Sequence, residues 1–426
     1  MGYLRNPKWV RLMQPTQTPE NRERLAKARE IIVHPEEVES LGTNEWSVPS
    51  QSGFGRYRVV IRLGEGTCTC RDFAARSAPC KHIFACLALF KGIDYTDVAQ
   101  ERPRKTYTQN WRSYDKGQTQ EVRLFDKLLR ELVGPIPDFP RGEGIRGRKP
   151  IPLSDQLFVA VQKVYTGMSC RRARGVQENA AEHGLLGKVP NYAMPSRLLN
   201  RPEVTAILHW MVTQVALPLA GLEEGGAISP DSTGIQTTQF GGWREEKHGE
   251  KREKSWLKLH AMVGNRTHAI LSVKVDSKNS GDCPQFGPLL RQTLEAGFRP
   301  STVPADKGYL SRENYNLAQE LGLEAYIPFK VNSLGAAKGS LAWAKAYHLF
   351  QAKKDEWEAA YHKRSNVEAV FSALKRKFGE SIRSRNEVAQ VNEVLCKVLA
   401  YNLTVLVHEM FEHGIAPEFD GRSQQP

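Results

Sequence analysis

Apolar and polar residues repeat with two different periods along this chain, and each period predicts a different kind of element. The segments WLKLHAMVG (256–264) and HAILSVKVD (268–276) alternate apolar and polar positions, as strands with one buried face do. Elsewhere the apolar positions recur every three or four residues, which predicts amphipathic helices. These helices are predicted at 21–33, 83–90, 121–133, 153–167, 169–183, 195–200, 203–215, 283–296, 311–321 and 388–411.

The order of the elements after residue 222 predicts the fold class. A strand-like run, GAISPDSTGI (226–235), precedes the two alternating segments. A helix, the short strand before Asp306, a second helix, the strand EAYIPF (324–329) and a last helix follow. Three strands, then helix, strand, helix, strand and helix, fit an α/β domain with a mixed sheet of the RNase H-like type.

The last helix of this series carries two parallel rows of side chains. The polar residues Tyr361, Arg364, Glu368 and Lys375 stand three, four and seven residues apart, which keeps them on one helix face. An apolar row beside them predicts the buried face, so the polar row should border a cleft. The apolar row consists of Val367, Val370, Phe371, Leu374 and Phe378.

The composition of the chain predicts a class of binding partner and a cellular compartment. The 426 residues include 60 basic and 47 acidic side chains, a net charge of +13 with a pI near 9.3. This excess favours a polyanion such as double-stranded DNA as partner. Seven cysteines in so long a chain do not indicate a disulfide scaffold, and the N-terminus lacks an apolar signal core. The stretch 206–220 is apolar but too short to span a bilayer. We therefore expect a cytoplasmic, nucleoid-associated protein with no membrane and no small-molecule substrate.

Four residues near the N-terminus have the spacing of a metal site. Cys68-x-Cys70 and Cys80-x-His82 each offer two ligands, and residues at i and i+2 on an extended segment point the same way. Three thiolates and one imidazole suit a closed, structural Zn²⁺ site. Cys86 could compete as a ligand, although a small buried apolar residue is the better interpretation. The alternative is a chance scatter of reduced cysteines.

The pattern C-x-C-x₉-C-x-H, with the hairpin before it and the apolar helix after it, resembles the SWIM-type zinc finger. This resemblance implies binding to DNA or to protein, and the sequence does not choose between them.

Two basic regions follow the finger. Residues 106–152 read as a basic linker rich in Gly and Pro, with Arg146 and Arg148 close to the arginine pattern of minor-groove arms. The helical region 153–222 could resemble a helix-turn-helix, in which Arg171 and Arg172 would contact phosphates. A plain basic linker and a bundle that only supports the next domain explain these regions about as well.

Three motifs appear in order in the second half of the chain: DSTG at Asp231, ADKGY at Asp306, and Y-x₂-R-x₃-E-x₆-K at Glu368. As a set they resemble those of the bacterial insertion-sequence type of DDE transposase. The resemblance covers roughly residues 150–410 and implies an RNase H-like catalytic domain at 223–414. It also implies that these three acids are catalytic. Asp276 and Asp282 are the rival acids: the first closes a strand, and the second precedes a helix, where capping explains it.

The resemblance implies two Mg²⁺ ions, with Mn²⁺ as a substitute, held by Asp231, Asp306 and Glu368, since hard cations prefer oxygen ligands. Tyr361, Arg364 and Lys375 would hold the DNA end. The activity implied is cleavage at transposon ends and transfer of the 3′-OH into target DNA by a synaptic homodimer. The alternatives are a DNA nuclease that joins nothing and a transposase-derived, non-catalytic DNA-binding protein.

Three further segments complete the predicted organisation. Residues 1–105 form the zinc-finger domain, and 331–360 form an insertion in the catalytic domain. Trp343 and Trp357 of this insertion are better explained as core residues than as contacts to a flipped base. Residues 415–426 are expected to be a disordered tail.

Overall fold

The structure, a computed structural model, describes residues 19–51, 55–62, 65–76, 78–93, 110–140, 150–237 and 255–419. The chain divides into two compact units, Met1–Thr108 and Gln109–Pro426.

The first unit is a four-stranded antiparallel sheet that shares one core with two helices. In β3, Val59 and Ile61 are buried while Arg58 and Arg62 are exposed, which is the alternation of a strand with one buried face. The first and last strands were not predicted, because all four residues of β1 are exposed and β4 has no apolar alternation. The elements are α1 (Pro19–Ile32), β1 (Glu39–Gly42), β2 (Glu45–Pro49), β3 (Arg56–Arg62), β4 (Glu65–Cys68), α2 (Arg71–Arg76) and α3 (Lys81–Lys91).

The second unit is built on a mixed sheet. Strands β5, β6 and β7 pair antiparallel in sequence order, while β8 and β9 pair parallel. A parallel bridge between Ala227 and Thr302 joins the start of β5 to β8. The resulting order, β7-β6-β5-β8-β9, is that of an RNase H-like fold and confirms the predicted fold class. The strands are β5 (Ile228–Gln236), β6 (Trp256–Gly264), β7 (Ile270–Ser277), β8 (Thr302–Pro304) and β9 (Glu324–Tyr326).

Strands β6 and β7 are buried on both faces over most of their length, so the prediction of one buried face was wrong. The last six residues of β6 and the first four of β7 are all buried. Since successive residues point to opposite faces, both faces of these segments are buried. The reason is that helices pack against these strands from more than one segment of the chain. The packing helices are α8 (Glu203–Ala216), α10 (Phe286–Glu295) and α15 (Glu387–Glu412).

The remaining helices lie before the sheet or after β8. Buried residues from the helices that precede β5 belong to the same core as the sheet. These helices and those after β8 are α4 (Trp111–Val133), α5 (Leu153–Tyr165), α6 (Ala173–Glu182), α7 (Met194–Leu199), α9 (Ala220–Glu223), α11 (Arg312–Glu320), α12 (Leu341–Ala352), α13 (Lys354–Tyr361) and α14 (Ser365–Phe378).

The predicted linker 106–152 contains a 23-residue helix, α4, which starts ten residues earlier than predicted. Asn110 caps this helix, its side chain accepting a hydrogen bond from the Ser113 N–H at 3.2 Å. The polar first half of α4 packs against α15, where Gly117 leaves room for the ring of His408. This contact between distant segments leaves no apolar pattern in the sequence.

Two helical stretches have the length and composition of a membrane span, Glu203–Glu223 and Glu387–Glu412. The first is longer than the 15-residue stretch judged too short from the sequence, but a 3₁₀ turn at Leu217–Leu219 interrupts it. Each stretch contains a most apolar window of 18 residues. In the first stretch 39% of this window is buried inside the protein, and in the second stretch 78% is buried. A core helix passes the same test, so these stretches are weak evidence for a membrane.

One polar residue inside α15 closes the edge of the sheet. Asn402 is 1% exposed, and its amide oxygen accepts from the Ile270 N–H at 2.9 Å while its amide N–H donates to the Ile270 carbonyl at 2.7 Å. The amide also donates to the Val212 carbonyl of α8 at 3.3 Å. Asn402 therefore pairs with edge strand β7 as a neighbouring strand would.

We predict that Asn402→Leu destabilises the protein, because it leaves the buried N–H and C=O of Ile270 without partners. Each unpaired buried group costs about 1–3 kcal/mol. Chemical denaturation of the full chain measures the loss. Asn179→Leu, at an exposed position of α6, is the control, and equal stabilities of the two variants would contradict the role given to Asn402.

Candidate active site and metal centre

The four predicted zinc ligands come together in the first unit. One ligand atom from each of Cys68, Cys70, Cys80 and His82 lies within 4.8 Å of all the others, and all four residues are buried. The Nδ1 atom of His82 is 3.7 Å from the Cys68 Sγ and 3.8 Å from the Cys80 Sγ. Bond lengths of 2.0–2.3 Å in a tetrahedral zinc site require ligand separations of about 3.6–3.8 Å. The donor set and its spacing fit one Zn²⁺.

The two ligand pairs are presented differently, which corrects the prediction that both lie on extended chain. Cys68 ends β4, but Cys80 is the residue before α3 and His82 lies in its first turn. Gly66 allows this approach, because a Cβ there would lie 2.8 Å from a side-chain carbon of Ile83. The helix start favours a thiolate at Cys80, since helix N-termini stabilise negative charge.

One of the four ligands is biased toward the thiolate. A hydrogen bond with Cys68 and, to a smaller extent, one with His82 lower the pKa of Cys80 to about 4, against the opposing effect of burial. Burial raises the pKa of Cys86 to about 12, so that thiol stays protonated. Cys86 is outside the four-residue cluster, which agrees with its interpretation as an apolar core residue.

In the second unit, the two aspartates come from neighbouring strands. Asp231 follows the buried run Ile228–Pro230 in β5 and is half-buried, its carboxylate accepting from the Ser232 N–H at 2.8 Å. Asp306 lies two residues beyond β8, where it caps a 3₁₀ turn and accepts from the Lys307 N–H at 2.6 Å. Since β5 and β8 are adjacent and parallel, both carboxylates lie at the same edge of the sheet.

The third acid reaches this edge from α14. Glu368 is in the first turn of that helix, and its carboxylate accepts from Arg364 Nη2 at 2.8 Å. The other nitrogen of the same guanidinium, Nη1, lies 3.4 Å from the Asp231 carboxylate. One arginine thus bridges two of the three acids. Two of the acids therefore have a positively charged partner within the protein itself.

The three carboxylates influence one another. Burial raises the pKa of Asp231, and the charges of Asp306 and Glu368 add to the rise, while the Ser232 N–H and Arg364 oppose it. Among the described residues, however, only the zinc cluster brings three ligand atoms within 4.8 Å. The acids are therefore close enough to interact but more widely spaced than ligands of a single small ion.

A cleft of about 450 Å³ opens beside two of the acids. It is lined by Asp231, Glu368, Lys375, Arg376 and Glu380, together with Ser232, Thr233, Phe371 and Ser372. Asp306 does not line it. The cleft thus combines two candidate ligands for a hard cation with two cations that could contact phosphate.

The rival acids have structural explanations. The Asp276 carboxylate accepts from the Ser277 N–H at 2.8 Å and from the Ser280 hydroxyl at 3.1 Å, which fixes the turn after β7. Asp282 makes no capping hydrogen bond, contrary to expectation. It pairs instead with the Lys258 ammonium at 2.9 Å.

Sequence reasoning missed the polar group beside the two aspartates. His260 is inaccessible and its Nδ1 lies 3.3 Å from Asp282, while Tyr309 has a buried hydroxyl three residues after Asp306. A signal existed for one part of this group. Lys258 and His260 are polar at i and i+2 within an otherwise apolar strand, which predicts a shared polar contact.

The residues predicted to contact DNA lie in different surroundings. Arg364 is engaged with acids, Lys375 lines the cleft, and Tyr361 interacts electrostatically with Arg364. Arg171 and Arg172 are exposed before α6. Arg146 and Arg148 lie outside the described residues.

The two tryptophans of the predicted insertion are core residues. Trp343 is 6% exposed and Trp357 is 2% exposed. The ring of Trp357 stacks on Tyr361, with centroids 5.0 Å apart. Neither side chain is free to stack on a base.

Two known families match parts of this chain. Residues 224–403 match the family described as Transposase DDE domain, and residues 57–87 match the SWIM zinc finger. The first range contains all three acids, and the second contains all four zinc ligands. The chain therefore carries a DDE transposase domain and an N-terminal SWIM zinc finger, as the motifs indicated.

One similar solved structure is described as "Cryo-EM structure of piggyBac transposase synaptic complex with hairpin DNA (SNHP)". It shares 9% sequence identity, and the match covers 74% of this chain and 78% of that chain. The TM-score is 0.31, too low to argue a shared arrangement.

We predict that the purified protein contains one zinc ion and that Cys80→Ser loses it, because a hydroxyl is a poor zinc ligand. Cys86→Ala is the control and should retain zinc, since that thiol is protonated and outside the cluster. Atomic absorption on both variants decides the matter. Full zinc in Cys80→Ser, or loss of zinc in Cys86→Ala, would contradict the assigned ligand set.

Proposed function

We propose that this protein is a DNA transposase that cuts DNA at transposon ends and transfers the 3′-OH end into target DNA. The observation that carries the proposal is the convergence of Asp231, Asp306 and Glu368 at one edge of an RNase H-like sheet. Each acid comes from a different element, and all three fall within the matched DDE domain.

The proposed cofactor is Mg²⁺, with Mn²⁺ as a substitute. Asp231, Asp306 and Glu368 offer only carboxylate oxygens, the ligands that hard cations prefer, and their spacing suits two ions better than one. When bound, such a pair of cations assists phosphodiester cleavage by activating the attacking oxygen and stabilising the leaving oxygen.

Arg364 has two roles in this proposal. Its guanidinium neutralises Asp231 and Glu368, which lowers the cost of holding these acids together. Once the acids hold cations, the same guanidinium would be available to a DNA phosphate, as bidentate arginines commonly are. Tyr361, three residues before Arg364, interacts with it and would limit its movement.

Double-stranded DNA would lie along the cleft. Lys375 and Arg376 line it beside Glu368, and the net charge of +13 favours a polyanion. Arg171 and Arg172 would add phosphate contacts from the helical segment. We expect the zinc finger to contact DNA or protein, two copies to bind a pair of ends, and the protein to act in the cytoplasm on the nucleoid.

The proposal is tested by incubating the protein and Mg²⁺ with DNA from the flanks of its own coding region. Cut ends that join to a second, labelled duplex are the expected result. Cut ends without joining would identify a nuclease instead. Binding with neither reaction would identify a non-catalytic DNA-binding protein.

We predict that Glu368→Gln abolishes cleavage while DNA affinity stays the same or rises, because the change removes a ligand charge near phosphate but keeps the side-chain size. Glu358→Gln on α13, where the native acid pairs only with Lys354 in the described part of the chain, is the control. Cleavage by Glu368→Gln at the parental rate would show that the triad is misassigned.

We predict that Lys375→Ala and the double variant Arg171→Ala/Arg172→Ala both weaken binding to end DNA. Each lost phosphate contact should lower the slope of log affinity against log salt by about one. Binding isotherms in Ca²⁺ at several salt concentrations measure this, with exposed Arg291→Ala as control. Parental binding by the Arg171/Arg172 variant would leave the helical segment with a supporting role alone.

A further inference from the structure

A second basic cavity is lined by a later part of the loop that follows α14. Its volume is about 450 Å³, and its walls come from α5, the region around α7, and residues 383–389. The side chains that line it include three cations, and no acid is among its described lining residues. The polar lining relevant here is Lys163, Ser196, Asn200, Arg383, Arg385 and Asn386.

Lys163 makes the cavity electrostatically unbalanced. This lysine is only 7% exposed, although it lines the cavity. The acid that interacts with it is Glu393, but that carboxylate already accepts from the Arg383 N–H at 3.0 Å and the Ser384 N–H at 2.8 Å. A buried cation with a shared counter-ion is costly unless an anion joins it.

Hydrogen bonds from α15 and β5 hold the loop that carries Arg383 and Arg385. Lys397 of α15 donates to the carbonyls of Gly379 at 2.9 Å and Ser381 at 2.8 Å. The Ile382 N–H donates to the carbonyl of Gln236, at the end of β5, at 2.9 Å. The backbone that presents Arg383 and Arg385 is therefore held on several sides before any ligand binds.

The opposite wall is joined to this loop. The Asn386 amide donates to the amide oxygen of Asn200, the residue that follows α7, at 2.6 Å. Deeper in, the buried amide of Asn392 donates to the carbonyls of Leu199 at 2.8 Å and Arg201 at 3.2 Å. Hydrogen bonds thus hold the two walls together, so the cavity is preformed.

We propose that this cavity binds a phosphate of the DNA backbone, at a position separate from the catalytic cleft; the proposal rests on the proposed function. Three converging cations and several amide and hydroxyl donors are the chemistry that recognises phosphate. DNA is favoured over a free anion because one loop serves both sites. Glu380 of this loop and Arg376 just before it line the cleft, while Arg383 and Arg385 line the cavity. A polyanion crossing the loop contacts both.

The test compares Arg383→Ala/Arg385→Ala with Arg291→Ala in the full chain. Both cavity arginines are exposed, so their removal should not unfold the protein. Binding to end DNA is measured in Ca²⁺ over a range of salt. A parallel arm measures the thermal stabilisation of each protein by inorganic phosphate alone.

We expect the double variant to bind DNA about tenfold more weakly or worse, since charge-assisted hydrogen bonds are lost. Its salt slope should fall by about two, one for each arginine, and Arg291→Ala should match the parent. Parental affinity and slope in the double variant would overturn the cavity proposal while leaving the transposase proposal intact. Loss of stabilisation by inorganic phosphate without any change in DNA binding would assign the cavity to a free anion and overturn it as well. If the parent itself binds no DNA, the proposed function fails and the cavity proposal fails with it.

Discussion

The backbone pairing at the end of β5 is the constraint on which the arrangement of the active site depends. Gln236 donates its N–H to the Glu380 carbonyl and accepts from the Ile382 N–H, both at 2.9 Å. The strand that carries Asp231 is thereby joined to the loop after α14, the helix that carries Glu368. Two segments separated by more than a hundred residues are held in one register. This pairing decides where α14 crosses the sheet and hence which of its residues faces Asp231.

Charged side chains in the second unit are neutralised by specific partners, and several of these contacts also hold the backbone. Arg364 bridges Asp231 and Glu368, Lys258 pairs with Asp282, and Glu393 binds the N–H groups of the loop. Burial lowers the pKa of Lys397 to about 8, yet this side chain holds two carbonyls of the same loop. Buried charges are thus placed where they fix backbone around the cleft. The exposed excess of positive charge remains for a polyanion.

Much of this arrangement could be predicted from local patterns, because the relevant signals are short-range. The strands β6 and β7 follow from alternation, and Asp231, Asp306 and Glu368 follow from three ordered motifs. The zinc ligands follow from spacing, although Cys80 and His82 lie at a helix start instead of on extended chain. The early start of α4 was missed, because Gly117 meets His408 nearly three hundred residues away. The partners of Arg364 and Asp282 and the basic cavity were missed for the same reason, since tertiary contacts create them.

The central claim is that Asp231, Asp306 and Glu368 together bind divalent cations. It is tested most directly by Mn²⁺ titration, followed by electron paramagnetic resonance, on the zinc-loaded full chain with duplex DNA present. The parent protein is compared with the triple variant Asp231→Asn/Asp306→Asn/Glu368→Gln. The account predicts up to two bound Mn²⁺ ions per chain in the parent and their loss in the triple variant, with DNA binding retained. Equal Mn²⁺ binding by the two proteins would contradict it.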